Sequence, residues 1–285
     1  MKNKIMYILT QTPLHVGTGN EVGIVDAPIQ RESHTKFPII PGSSIKGVIR
    51  DYMNTPGEGD KLFGIESKHN ADGSVASVSE GDKLFGTESK HAGRLSFGEA
   101  KLLLFPLRSA KGCYALATCP LALSRFFRAI NKDISIPTVD DAKCYCAGNI
   151  KIDNAVVLEE YKFEVIGGIA ENIIGTLKDN MLKDGVLEKC NNFIILSDGD
   201  FSDFSKTACQ VQQHIAIDHD TGVTKDGALF NMEVVPSETL FFSSIISMNN
   251  DADSNAVFEK FSETKLVQFG GKASTGLGFC SVKIN

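Results

Sequence analysis

No stretch of this 285-residue sequence holds the ~20 consecutive apolar residues that a bilayer-spanning helix needs. Its opening run, MKNKIMYILTQ, is too short and too polar for a signal peptide, so a cytoplasmic location is expected. Positive charge is scarce as well: 29 Lys and Arg against 35 Asp and Glu leave a formal net charge of −6. That balance argues against indiscriminate nucleic-acid binding, which leans on clustered cations displacing counterions. A local basic track is still allowed, but only at named positions. The seven cysteines are odd in number and scattered, and only Cys144-Tyr-Cys146 is closely spaced. With no CxxC pair and no neighbouring histidines, free buried thiols fit better than disulfides or a zinc site. The Gly-x-x-x-x-Gly-Lys-Ser/Thr phosphate loop and the dinucleotide fingerprint are both missing, which makes a small-molecule nucleotide enzyme a poor fit.

What remains is ordinary globular material, 42% hydrophobic and 22% charged, long enough for one large domain or two small ones. The most organised stretch is PGSSIKGVIRD, Pro41–Asp51. Pro-Gly closes the preceding segment, Ser43 or Ser44 is placed to cap a helix, and Ile45, Val48, Ile49 and Tyr52 form one apolar stripe. Lys46 and Arg50 lie off most of that stripe. A helix start with open N–H groups and a lysine beside it suits a phosphate, although any serine-capped amphipathic helix looks similar.

Upstream, Lys4–Thr10 reads as a buried strand running into the loop Thr12–Gly19, which carries His15. A second loop, Gly23–Arg31, presents Asp26 from an extended segment stiffened by Pro28. His15 and Asp26 meet if these loops lie side by side; otherwise His15 is a hydrogen-bonded loop histidine. Within 58–91, a segment containing KLFG and ESKH recurs with an offset of 22 residues. Two copies are too few for a solenoid, so this reads as a tandem duplication with one copy looped out.

Further on, strands are expected at Arg94–Phe97, Ala100–Phe105, Cys113–Thr118, Val156–Ile166 and Phe193–Ser197. A helix opens at Pro120 and a second runs from Ile169 to about Glu188, while Asp140–Asn149 and the segment after Ser197 read as loops. Gln210–Val235 alternates, turns at Asp218-His219-Asp220-Thr221-Gly222 and returns, which predicts a long hairpin. The segment FGGKASTGLG, Phe269–Gly278, is a strand–glycine-loop–strand in which backbone can approach backbone or phosphate closely.

Taken together, LHVGTGNEVGIVDAPIQRE, PGSSIKGVIRDYM, AGRLSFGEAKLLLFPLRS, TGVTKDGALFNMEVVP and FGGKASTGLG resemble the repeated backbone subunit of type III CRISPR effector complexes. These are members of the RAMP superfamily, and the type III-B form is the most similar. The resemblance spans nearly the whole chain and departs at the duplication.

It implies an α+β chain forming a single domain over 1–285: an RRM-like (ferredoxin-like) palm with large insertions and a thumb hairpin near 210–227. It also implies a helical filament of identical copies along a guide RNA, with other effector subunits and a target RNA as partners. The loop matching Asp26 is the one that cleaves. A carboxylate beside a splayed nucleotide can draw a proton from a 2′-OH or bind a divalent metal, Mg²⁺ or Mn²⁺. On this reading Asp26 is the catalytic carboxylate and metal ligand, and His15 assists. Glu233 is either a further catalytic group or a structural acid. Ser43, Ser44, Lys46, Arg50, Gly270, Gly271 and Lys272 meet guide-RNA phosphates, Arg50 having subunit pairing as its alternative, and Arg31 lies near the target strand. Two alternatives stay open: a guide-binding scaffold that does not cut, and a guide-processing ribonuclease using histidine.

Overall fold

The computed structural model describes residues 2–19, 25–53, 95–180, 190–225, 228–247 and 252–285, so the duplication at 58–91 lies outside the described residues. The first strand, β1 (Lys2–Thr10), explains the layering. Met6 and Ile8 enter one core, and Ile5, Tyr7 and Leu9 enter another on the opposite face. Side chains alternate across the pleat, so one unbroken apolar run serves two layers.

The chain continues through β2 (Ile39–Ile40), α1 (Gly42–Met53), β3 (Leu95–Phe97), β4 (Ala100–Arg108), β5 (Tyr114–Thr118) and α2 (Pro120–Ala129). Next come β6 (Lys143–Ala147), β7 (Ala155–Leu158), β8 (Tyr161–Gly168), α3 (Glu171–Asn180), β9 (Phe193–Ile195) and α4 (Asp198–Thr207). The last third holds β10 (Gln210–His214), β11 (Phe230–Val234), β12 (Leu240–Ser247), α5 (Ala252–Lys260), β13 (Lys265–Gln268) and β14 (Phe279–Ile284).

Twelve strands form one sheet in the order β13-β14-β1-β12-β4-β5-β9-β6-β8-β7, with β2 added beside β4 and β3 beside β12. Strand β4 joins the halves: Lys101, Leu102 and Leu104 pair with β12, whereas Phe105–Arg108 pair with β5. In the first half β14, β1, β12 and β4 are antiparallel throughout, and α1 and α5 join strands that are not neighbours. Helix α1 buries Ile45, Ile49 and Met53, and α5 buries Val257 and Phe258, both in the Met6 core. Helices α2 and α3 cover the opposite face with Leu123, Phe126, Phe127, Ile173 and Leu177. Strands β10 and β11 stand apart as a two-stranded hairpin. Among the described residues no helix is long and apolar enough to cross a membrane, and all seven cysteines are free thiols.

Four local expectations need correction. Helix α1 begins at Gly42, its first bond running from the Ile45 amide to the Pro41 carbonyl, so Ser43 and Ser44 lie within the first turn and do not cap it. The stretch 140–149 is not all loop. Its Cys-Tyr-Cys alternation forms β6, burying Cys144 and Cys146 beside β8 and β9. The segment after Ser197 is a helix: the Ser197 hydroxyl accepts from the Asp200 amide at 3.0 Å, and Phe201 and Phe204 are buried. Val156–Ile166 breaks into β7 and β8 at Glu159, which turns the chain with φ 51°. The helix expected to reach Glu188 is described as far as Asn180.

Candidate functional site

Four segments distant in sequence are laced together at the base of the β10–β11 hairpin. The His15 loop pairs with the end of β11 through Leu14 and Val235, whose amides and carbonyls exchange bonds of 2.9 and 2.8 Å. It pairs with the Asp26 loop through the Gln30 amide to the Val16 carbonyl, 2.8 Å, and the Thr18 amide to the Pro28 carbonyl, 3.1 Å. Strand β11 grips the Asp26 loop from the other side: the Ala27 amide donates to the Asn231 carbonyl, and the Glu233 amide to the Ala27 carbonyl. The glycine loop 269–278 closes the group, its Gly278 amide donating to the Pro13 carbonyl and its Gly271 amide to the His15 carbonyl.

Asp26 is exposed on this platform. Its Oδ2 accepts from the Asn231 amide at 2.8 Å, and Oδ1 has no partner among the described residues. One oxygen is thus fixed and the other open, an arrangement that can accept a proton or bind a cation. His15 is half-buried, with Nδ1 2.7 Å from the Glu233 carbonyl. A carbonyl can only accept, so Nδ1 carries the hydrogen, and the neutral ring has its lone pair on Nε2. The ring lies so close over Gly17 that a Cβ there would stand 2.6 Å from Nε2. The two loops do lie side by side.

Glu233 is placed differently from a working acid. Its Oε2 accepts from the Ile29 amide at 3.1 Å, its Oε1 binds the Arg31 guanidinium, and its side chain is 12% exposed. Both oxygens hold the Asp26 loop, which is the geometry of the structural acid. Arg31 faces inward too, donating to the Lys36 and Ser205 carbonyls at 2.7 and 3.0 Å and to the Cys209 sulfur at 3.3 Å. With four of its five N–H donors spent on the protein, it anchors the Asp26 loop to α4. Burial pushes the Cys209 thiol up to about 12, even though Arg31 opposes the shift.

The residues expected to meet phosphate fall into two groups. At α1 the amides of Gly42, Ser43 and Ser44 precede the first intrahelical bond, beside the half-buried Lys46. Arg50 sits half-buried in the last turn, where a cation suits the negative end of the helix. In the glycine loop, Gly270 has φ +72°, and a Cβ on it would lie 2.1 Å from the His15 carbonyl oxygen. Its close approach is therefore to the His15 backbone. Lys272 is exposed and extends over the Phe230 ring, with Nζ 5.2 Å from the centroid; His214 stacks on the same ring at 5.1 Å.

Asn231 and Phe230 were missed by sequence reasoning. Asn231 contributes only its backbone, which no residue pattern announces. The alternation of β11 was a usable signal, because it puts Asn231 and Glu233 on one side while Met232 and Val234 pack with Leu277 and Ala27 in a small separate core.

Known proteins share this fold. Residues 7–281 match the RAMP superfamily. The chain is 34% identical over 304 residues to the CRISPR system Cmr endoribonuclease Cmr4 of Pyrococcus furiosus, covering 100% of this chain and 96% of that protein. Among solved structures, oligomeric Cmr4 from the same organism superposes with a TM-score of 0.75 at 30% identity, covering 100% of this chain and 98% of the other. A chain of the type III-B Cmr-beta complex bound to cognate target RNA shares the fold, with a TM-score of 0.73 at 21% identity and coverage of 100% and 97%. The chain belongs to the RAMP superfamily and, within it, to the Cmr4 family.

Proposed function

We propose that this chain is the repeated backbone subunit of a cytoplasmic type III-B CRISPR ribonucleoprotein, binding guide RNA and cutting complementary target RNA at regular intervals. Strands β14, β1, β12 and β4, with α1 and α5 as crossovers, are its RRM-like palm; the order 4-1-3-2 around two helices supports that reading. Strand β10 and the tip that follows it, the described part of 210–227, are the thumb, and β11 is its return strand. Its tip is set by Asp218, whose Oδ1 accepts from the Asp220 and Thr221 amides. Those same bonds hold the Asp218 carboxyl below its usual range.

The observation that carries the catalytic assignment is Asp26, exposed, oriented by one amide and open at its second oxygen. In the reaction Oδ1 of Asp26 takes the proton from the 2′-OH of a splayed target nucleotide. The 2′-oxygen attacks the adjacent phosphorus, the bond to the 5′-oxygen breaks, and a cyclic phosphate and a 5′-hydroxyl result. His15, fixed through Nδ1, acts in its imidazolium form, giving the Nε2 proton to the leaving 5′-oxygen. Glu233 and Arg31 hold the loop and touch no reacting atom.

Asp26 also fits a Mg²⁺ or Mn²⁺ ion of the kind bound by one protein carboxylate, with waters and substrate phosphate supplying the rest. Such an ion would supply charge neutralisation at the phosphate. Base pairing supplies the sequence choice, so the protein needs to read only backbone and shape. An acidic chain can do this if its cations are concentrated near α1 and Lys272.

The test is Asp26→Asn in the assembled complex, offered a complementary target RNA. Target cutting should be lost while guide RNA remains bound. Unchanged cutting removes Asp26 from the mechanism. Cutting of precursor repeat RNA by the isolated chain would favour guide processing instead.

A further inference from the structure

A basin of about 410 Å³ opens on the far side of the turn that supports α1, lined by Gly98, Glu99, Lys101, Arg125, Arg128 and Phe242. Its volume lies in the range of ligand clefts. Nothing in the proposed cleavage reaction uses it.

Its cations have different duties. Arg125 is committed, its guanidinium bonding both oxygens of the buried Glu32 at 3.2 and 2.9 Å and meeting His34 at 3.1 Å. Arg128 lies one turn further along α2, exposed, and Lys101 projects from β4 between Ile39 and Phe242. Neither side chain makes a hydrogen bond or ion pair among the described residues, whereas those of Arg31, Arg108, Lys143 and Lys265 are all paired.

We infer that this basin is a phosphate subsite: Lys101 and Arg128 together take a phosphodiester of single-stranded RNA. The inference rests on the RNA-binding reading above and extends it. Position favours RNA over an acidic protein segment. Gly42 packs so tightly on the Phe97–Gly98 turn that a Cβ would lie 2.3 Å from the Phe97 carbonyl oxygen. The open amides of α1 and the basin are therefore two sides of one turn, so one strand of RNA passing that turn meets both. Glu99 is the one acid facing the ligand. Burial, and then the charge of Glu32, push its carboxyl upward, which weakens its opposition to a phosphate. Arg125 and Glu32 offset each other behind it.

The experiment measures binding of a fluorescent single-stranded RNA to the full chain across a salt series, for wild type, Lys101→Gln, Arg128→Gln and the double variant. Each single change should flatten the slope of log K against log salt by about 0.7, and the double change by about 1.4. Arg108→Gln, whose partners are Glu159 and Glu160, serves as the unaffected control. Thermal melting confirms that each variant is folded. A double variant with the wild-type slope overturns the inference. So does one that binds RNA normally but self-associates less, which would make the basin a contact between copies. Lys46→Gln separates the two readings: if it weakens binding and the basin variants do not, only the basin fails. If wild type binds no RNA, both fail.

Discussion

Replacing Arg31 by alanine is the sharpest test of how the site is held. The guanidinium bonds two main-chain carbonyls, the Cys209 sulfur and the Glu233 carboxylate, and its side chain is only 15% exposed. Arg31→Ala leaves Glu233 with one partner, the Ile29 amide, in a setting where it is 12% exposed. Removing one member of a buried pair typically costs about 3–5 kcal/mol. The Lys36 carbonyl lies near water and recovers a bond, which places the expectation at the lower end, about 3 kcal/mol. At roughly 2–4 °C per kcal/mol for a chain approaching this size, the melting temperature should fall by about 6–12 °C. Arg31→Lys should recover little, since a single ammonium cannot span four acceptors. Target cleavage should fall at temperatures where the variant is still folded, because the Asp26 loop loses its anchor to α4 while Asp26 itself is intact. Denaturant unfolding of the isolated chain and cleavage by the assembled complex measure the two effects. A loss below about 1 kcal/mol would show that the cluster is solvated and refute the reasoning.

Three further outcomes are expected. Glu32 is buried, which alone would raise its carboxyl, but the Thr35 hydroxyl and the Arg125 guanidinium outweigh burial and hold it below 4.5. A depressed folded value stabilises the fold above the unfolded value and loses that contribution as pH falls through it. Melting temperatures should therefore drop on acidification below about pH 4.5, and Glu32→Gln should flatten that limb. Gly270→Ala should cost about 2 kcal/mol or more and impair cleavage, because its φ of +72° and the His15 carbonyl both oppose a Cβ. Gly271→Ala, whose Cβ would meet nothing nearer than 3.9 Å, should be tolerated, and comparing the two in unfolding and cleavage assays checks the assignment. Leu277→Ala should cost about 2–3 kcal/mol and lower cleavage more than guide binding, since Leu277 packs beneath the strand that orients Asp26.

The legible parts of the sequence were those where one local rule dominated. Helix α1 announced itself through its apolar stripe, α2 through Pro120 at its start, and the hairpin through alternation around Asp-Thr-Gly. Helix α4 was hidden because Asp198-Gly199-Asp200-Phe201-Ser202 is a poor helix former; its stability comes from the Ser197 cap and two buried phenylalanines. Strand β6 escaped because its five residues sit in polar surroundings, and only neighbouring strands reveal that Cys144 and Cys146 belong to the core. At the site, Asp26 and His15 were visible as residues. The partners that orient them, the Asn231 amide and the Glu233 carbonyl, are backbone atoms more than 200 positions away and leave no trace in residue identity.

That division has a consequence for how the site tolerates change. The groups assigned to chemistry, Asp26 Oδ1 and His15 Nε2, project from loops whose geometry is fixed mainly by main-chain bonds to β11 and the glycine loop. Side-chain substitutions within β11 that keep its apolar face on Leu277 and Ala27 leave those bonds in place. A register slip of one residue in β11 would not, because it would swap Asn231 and Glu233 with Met232 and Val234, burying a carboxylate and turning the amide away from Asp26. The hairpin is therefore more than a protrusion. Its base is the part that fixes one carboxylate oxygen and leaves the other open.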